Sequence, residues 1–155
     1  MTIVSMTRAH ITSIMRHERE LFGPESWSAS AYREELADRV QRYYVAAVDD
    51  DETLLGWAGL RVVADEAEIL TVGVIPAARR QGVGSALVRE LLDEARRREA
   101  SVVFLDVRVA NSDAQRIYAR EGFVIVGRRR GYYDNGRTDS LTMSLTLITE
   151  DPVTP

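Results

Sequence analysis

The segment Arg79-Arg80-Gln81-Gly82-Val83-Gly84 joins two stretches of different periodicity, and this junction restricts the fold more than any other feature. Before it runs the apolar segment Ile69-Leu70-Thr71-Val72-Gly73-Val74-Ile75; after it, from Val83 to about Ala100, apolar residues recur at helical spacing. That order predicts a strand, a tight loop and a helix. Gly82 and Gly84 permit positive φ angles and close backbone approach. Exposed amides and the helix dipole at such a start favour an anion such as a pyrophosphate. The loop is therefore open to two readings, a structural turn or the cradle of a phosphate-bearing cofactor. Two other phosphate motifs are excluded. There is no Gly-x-x-x-x-Gly-Lys-Ser/Thr, in a chain without any lysine, and no Gly-x-Gly-x-x-Gly followed by an acidic residue about 20 positions on.

At 155 residues the chain suits one core, and its 45% apolar and 28% charged content is that of an ordinary globule. Residues 1–148 are expected to form a single domain, with 149–155 a short C-terminal tail. No apolar run approaches the roughly 18 residues that span a bilayer. The start, Met-Thr-Ile-Val-Ser-Met-Thr-Arg, has neither the basic segment nor the apolar core of a secretory signal. The absence of cysteine excludes a disulfide framework, a thiolate zinc site and a cysteine acyl-enzyme. These features point to a cytoplasmic protein without membrane association. A net charge of −4 argues against general nucleic-acid binding. His10 and His17 could share a helix face, but no acidic or sulfur ligands cluster with them, so no metal site is expected.

Ile3 to Met6 reads as a short strand, and Ala9 to Leu21 as a helix capped by Thr7 and broken by Gly23-Pro24-Glu25. Ser28 opens a second helix carrying Tyr32 and Leu36. Tyr43 to Val48 and Leu54 to Val62 are expected to form a hairpin around Asp49-Asp50-Asp51-Glu52, and Ala67 to Ile75 is the next strand. After the glycine loop, Val83, Leu87, Val88, Leu91, Leu92 and Ala95 make one apolar stripe. Val102-Val103-Phe104-Leu105 has the continuous pattern of a strand buried on both faces. Asn111 or Ser112 caps a short helix that Gly122 ends, Phe123 to Val126 is a strand, and Leu141 to Leu147 alternates as a half-buried strand. The order is β-α-α-β-β-β-α-β-α-β-β. It describes an α/β domain with a mixed, mostly antiparallel sheet of about seven strands flanked by helices, containing one βαβ unit from Ala67 to Arg108.

This order and the Arg79–Gly84 loop resemble the GCN5-related N-acetyltransferase (GNAT) superfamily over roughly residues 3–148, the loop matching that family's acetyl-coenzyme A pyrophosphate motif. Further segments resemble one branch, the RimI-type ribosomal-protein-alanine N-acetyltransferases. They are Glu25-Ser26-Trp27-Ser28, Leu105-Asp106-Val107-Arg108 followed by Asn111, Ile117-Tyr118 before Gly122-Phe123, and Arg128-Arg129-Arg130-Gly131-Tyr132-Tyr133. The resemblance implies acetyl-CoA as acetyl donor and a protein N-terminus or peptide, such as that of a small-subunit ribosomal protein, as acceptor. It implies cofactor contacts from Val72, Gly73 and Val74, from Arg79, Arg80, Gln81, Gly82, Val83, Gly84 and Ser85, and from Asn111. The chain departs from the branch at Asp106, where Glu is usual and is regarded as the general base.

Acetyl transfer from a thioester to an amine needs a held donor, a neutral amine, a stabilised oxyanion and a protonated leaving thiolate. Strand-edge backbone groups at Val72, Gly73 and Val74 could hold the pantetheine and polarise the thioester carbonyl. Gly73 inside an apolar strand points to a bulge or a close backbone approach, or else is a small packing residue. A protein α-amine, with a pKa of about 7.7–8.0, asks less of a base than a lysine at about 10.4. Asp106 is the base candidate, acting through a water because its stem is short, unless it serves only as an ion-pair partner of Arg108 or as an acceptor of a loop N–H; Glu68, on the neighbouring strand and a candidate acceptor contact, is the alternative base. Tyr118, a phenol with an ordinary pKa of about 10, is the acid candidate or else a packed aromatic. Tyr132 and Tyr133 are placed in a Gly-bounded connection between two strands, where they shape an acceptor slot or anchor the hairpin. Trp27 and Phe22 are acceptor-wall or core residues. No acyl-enzyme nucleophile stands out, so direct attack in a ternary complex is expected. A small-molecule or lysine acetyltransferase, or a coenzyme A-binding sensor without turnover, are the alternatives.

Overall fold

The computed structural model describes residues 1–133 and 136–147, so the expected tail at 149–155 lies outside the described residues. The strands are β1 (Thr2–Ser5), β2 (Arg42–Val48), β3 (Leu54–Val63), β4 (Glu66–Val74), β5 (Val102–Arg108), β6 (Val124–Tyr133) and β7 (Thr138–Thr146); the helices are α1 (Arg8–Phe22), α2 (Ala29–Ala37), α3 (Val83–Arg97) and α4 (Ser112–Arg120). The order of elements is the one the sequence implies. Local chemistry sets most of their ends. The Thr7 N–H donates to His10 Nδ1 at 2.9 Å, Ser28 Oγ accepts from the Ala31 N–H at 3.0 Å, and Asn111 Oδ1 accepts from the Ala114 N–H at 3.1 Å. Gly122 leaves α4 with φ +103°, a conformation that favours glycine.

The seven strands form one sheet in the order β1-β2-β3-β4-β5-β7-β6, antiparallel throughout except between β4 and β5. Side-chain alternation along β3 assigns the two faces. A Cβ on Gly56 would lie 3.0 Å from Leu87 and 3.1 Å from Val83 of α3, whereas the next residue, Trp57, meets Phe22 of α1 edge-on and bonds Tyr32 of α2. So α3 covers one face, and α1 and α2 the other. The core sits in these two layers, with Ile14, Tyr32, Trp57, Leu87, Val88 and Leu91 fully buried.

Four expectations are corrected or narrowed. The run Val102–Leu105 is not buried on both faces. Val103, Leu105 and Val107 are buried, but Phe104, Asp106 and Arg108 are only half-buried, because α1 and α2 pack on β3 and β2 and leave the face of β5 open. The strand also continues past Leu105 to Arg108, so Asp106 lies within it. Of the readings of Gly73, the close approach holds, and the bulge of β4 falls at Leu70 instead. Gly59 pairs with Thr71 and Leu60 with Ile69, leaving Leu70 without a partner, while Gly73 is required for close approach, since a Cβ there would meet the Trp57 ring at 2.8 Å. Finally, β6 does not stop at Val126. It runs to Tyr133, which places Tyr132 and Tyr133 in a strand rather than a connection. The glycines that read as turn signals mark irregularities in the β6–β7 ladder, with Gly131 at φ +63°. Since β6 is an edge strand, these irregularities and the Arg128-Arg129-Arg130 run make it a poor template for further pairing.

One feature of the register positions the site. β4 and β5 pair at Glu66–Val102, Ala67–Val103 and Glu68–Phe104 and nowhere beyond. The bulge at Leu70 bends β4 at the point where the two strands part. From there to Val74 the β5 side of β4 offers backbone groups that no strand uses.

Candidate active site

A cleft of about 490 Å³ opens where β4 and β5 separate. Asp106, Tyr118, Glu68, Val72, Asn111, Trp27, Tyr132 and Tyr133, eight of the residues singled out from the sequence, line it, as does Phe22. They arrive from both layers. Asp106 pairs in register with Thr142 and shares a face of the sheet with Arg108, the face of α1 and α2. Tyr118 comes from α4, which packs against α3 on the opposite side. Only the gap between β4 and β5 lets a carboxylate from one face and a phenol from the other reach the same space.

Asp106, part of the cleft lining, accepts at Oδ1 a 2.8 Å hydrogen bond from the Thr142 hydroxyl, which orients the carboxylate. The structural alternative, a pair with Arg108, is not what forms: Arg108 is ion-paired with Glu25 and stacked 4.6 Å from the centroid of Tyr133. Glu68 is held in a cross-strand ion pair with Arg61. The Tyr118 ring is 8% exposed and packs edge-on to Phe123 at 5.8 Å. Its hydroxyl has no hydrogen-bond partner among the described residues. Burial, reinforced by nearby Tyr133, pushes this phenol well above its ordinary pKa, so it keeps its proton.

The loop at 79–85 lies apart from the cleft, at the start of α3. Gly82 is the N-cap with φ +81°, and a Cβ there would meet nothing within 4 Å, so space lies open before the first-turn amides of Val83, Gly84 and Ser85. Arg79, Arg80 and Gln81 are exposed beside it. Gly73 and Val74 continue β4 from the cleft towards this helix start. An extended donor with an anionic end fits this path, the anion on the helix start and the chain along the unpaired edge of β4. Gly84 has another duty: its Cβ would approach Ile117 Cδ1 of α4 at 3.0 Å. Gly84→Val is therefore expected to overpack the α3–α4 contact and cost about 1–3 kcal/mol, read as a lowered melting temperature. Gly82→Val has open space around it but a φ of +81° that a β-branched residue adopts only with strain, so it should lose stability as well and, in addition, weaken binding of coenzyme A, read by calorimetry. Equal stability and equal coenzyme A affinity in both variants would remove this assignment of the two glycines.

Sequence reasoning missed Glu18, Glu25 and Arg108 as members of the site. Glu18 is 1% exposed and lines the cleft. Its Oε1 accepts from the Tyr32 hydroxyl at 2.6 Å and its Oε2 from the Trp27 N–H at 2.9 Å. Tyr32 in turn accepts from Trp57 Nε1 at 2.9 Å. The network ties α1, the α1–α2 segment, α2 and β3 together and fixes Trp27 at the cleft wall. Desolvation raises the Glu18 carboxyl above its ordinary range despite these bonds. A signal was present: Glu18 occupies a core position of α1, in line with Ile11 and Ile14, where a carboxylate is costly unless satisfied.

Comparison with known proteins agrees with this geometry. Residues 11–123 match the model of the acetyltransferase (GNAT) family. The chain is 40% identical over 147 residues to the N-alpha-acetyltransferase RimI of Mycobacterium tuberculosis, covering 92% of this chain and 90% of that protein. It is 32% identical over 123 residues to the ribosomal protein bS18-alanine N-acetyltransferase of Escherichia coli, covering 78% and 81%. The crystal structure of the ribosomal-protein-S18-alanine N-acetyltransferase from Escherichia coli superposes with a TM-score of 0.83 at 27% identity, over 99% of both chains. With its sheet, its open helix start beside a parted strand pair and these relatives, the chain belongs to the GNAT family and is an acetyl-CoA-dependent N-acetyltransferase.

Proposed function

We propose that this protein acetylates the α-amino group of a polypeptide, specifically the N-terminal alanine of a small-subunit ribosomal protein, in the cytoplasm. The observation that carries the reading is the convergence of Asp106 and Tyr118 on one cleft through the gap between β4 and β5. The α-amine is inferred from the name of the Mycobacterium tuberculosis relative, and the alanine of a ribosomal protein from that of the Escherichia coli relative. No helix among the described residues is long and apolar enough to cross a membrane, which is compatible with the location.

Acetyl-CoA supplies a thioester whose carbonyl carbon is open to an amine. The first-turn amides of α3 and the exposed Arg79 and Arg80 would hold its phosphates, and the free edge of β4 at Val72, Gly73 and Val74 would align the chain that carries the thioester. Asn111, already occupied in capping α4, adds a contact at the end of β5. Asp106, fixed by Thr142, takes the proton of the incoming amine through a water that spans its short stem. Tyr118, kept protonated by burial, delivers its proton to the departing sulfur. Trp27, Tyr132 and Tyr133 wall the acceptor slot, and Glu68, neutralised by Arg61, shapes its floor rather than serving as base.

The deciding comparison uses two peptides of one composition, one with a free N-terminal Ala and the other blocked at its N-terminus but carrying a lysine. Mass spectrometry should find the acetyl group on the α-amine of the first. Preferential acetylation of the blocked lysine peptide would replace this reading with a lysine-directed or small-amine enzyme.

A further inference from the structure

A polypeptide acceptor must leave the cleft after delivering its first residue, and the structure is asymmetric in what it allows. On one side the Glu25–Arg108 ion pair, with the Tyr133 ring against the guanidinium, ties the α1–α2 segment to the ends of β5 and β6. On the other side lies a second groove of about 660 Å³, with Trp27 and Leu70 lining both it and the cleft. Leu70 is the bulged residue of β4, displaced from the β3 ladder.

The new groove runs along α2. Ser26, Ser28 and Ser30 line its near part, and Glu34, Glu35 and Arg42 its far part. Three of these six polar side chains are committed, including both charged ones other than Glu34. Ser28 caps α2, and Glu35 accepts from Arg42 at 3.1 Å and from the Tyr44 hydroxyl at 2.5 Å. Arg42 also reaches Asp38 at 3.6 Å. Glu34 differs: it is exposed and has no ion-pair or hydrogen-bond partner among the described residues. Cleft and groove together also hold more carboxylates than guanidinium groups, with Glu18, Glu25, Glu68 and Asp106 in the first and Glu34 and Glu35 in the second against Arg108 and Arg42.

We propose that this α2 groove, entered past Trp27 and Leu70, is the exit path of the acceptor polypeptide, and that Glu34 there selects a cationic side chain lying beyond its first two residues. The inference rests on the α-amine reading above and adds to it a binding site separate from the reacting groups. An extended chain advances about 3.3–3.6 Å per residue, so an acceptor seated at Asp106 passes Trp27 before it meets Glu34. The serine wall and the first turn of α2 suit a polar backbone. The unpaired carboxylate suits an arginine or lysine, which it would neutralise at no cost to an existing pair. The pair forms at an exposed site, so its effect is modest and screened by salt.

The test walks one arginine through positions 2 to 6 of otherwise identical Ala-initiated serine peptides, with a glutamate series as counterpart. For the native protein, KM should be about 2- to 5-fold lower for arginine than for glutamate at one or two positions beyond the second, with kcat the same, and 1 M salt should abolish the difference. In Glu34→Arg the preference at those positions should invert to glutamate; being a ratio within one variant, it is insensitive to partial loss of folded protein. Equal KM at every position, or a preference that survives Glu34→Arg, overturns the groove as exit path. Absence of α-amine acetylation on every peptide would instead overturn the functional reading beneath it, and the two failures are thereby distinct.

Discussion

Tyr118→Phe is expected to lower kcat by about 10²–10⁴-fold, the range for losing one positioned acid, while coenzyme A affinity stays near that of the parent. The substitution removes one oxygen and keeps the ring, which still packs on Phe123. The hydroxyl bonds no other described residue, so no buried partner is orphaned and the fold should be unaffected. The pH dependence follows from the direction of the shift. Burial raises this phenol above its ordinary value of about 10, so it remains protonated throughout the neutral and mildly alkaline range. The parent should therefore show no loss of kcat from Tyr118 ionisation below about pH 10, and any fall there belongs to another group. Steady-state kinetics on the folded variant decides the matter, and full turnover in Tyr118→Phe would reduce the residue to packing.

Asp106→Asn should reduce kcat/KM by about 10²-fold or more near pH 6.5, with the deficit shrinking above about pH 8. The sign follows from the acceptor. At low pH the α-amine is protonated and needs a base; above its own pKa it arrives neutral and needs none. The amide can still accept from Thr142, so the local hydrogen bond survives and the variant should fold. Asp106→Glu should retain activity or gain some, because the longer stem removes the need for an intervening water. A pH–rate series on the three proteins is the measurement. A parent-like profile in Asp106→Asn together with an inactive Glu68→Gln would move the base to Glu68, whose ion pair with Arg61 would then have to open during turnover.

Both predictions depend on a meeting that no local pattern encodes. Asp106 and Tyr118 could each be named as candidates because of chemistry and family resemblance, but the reason they share a cleft lies in strand pairing. β4 and β5 are parallel partners for three residue pairs only, and the residues that stop the pairing include Leu70, an ordinary apolar residue in an ordinary apolar run. Gly73 drew attention as a possible bulge or close approach and proved to be a position where Trp57 crosses close to the backbone. A glycine in a strand signals that something comes near; it does not say what.

Other features were legible for a clear reason. The α3 stripe of Val83, Leu87, Val88, Leu91, Leu92 and Ala95 is buried as its spacing requires, since a helical period of 3.6 places those residues on one side whatever they pack against. The caps at Ser28 and Asn111 and the stop at Gly122 act within three or four residues of themselves. The open helix start at Gly82 likewise needs only a strand before it and a helix after it. These short-range determinants were enough for the element order and the α/β class.

The tertiary structure alone decided what depends on residues far apart in the chain. Glu18 joins Trp27 and Tyr32, and through Tyr32 reaches Trp57. Arg108 crosses the cleft to Glu25 instead of pairing with Asp106 two residues away, because alternate residues of a strand stand side by side while the α1–α2 segment faces them across the cleft. Tyr132 and Tyr133 extend a strand that glycine-rich composition had marked as a turn, because β7 supplies partners for it. Periodicity and capping are properties of a short window and survive in the sequence by itself. Register, strand separation and the partners of buried charges depend on which distant segment arrives alongside, and only the folded chain brings those segments together.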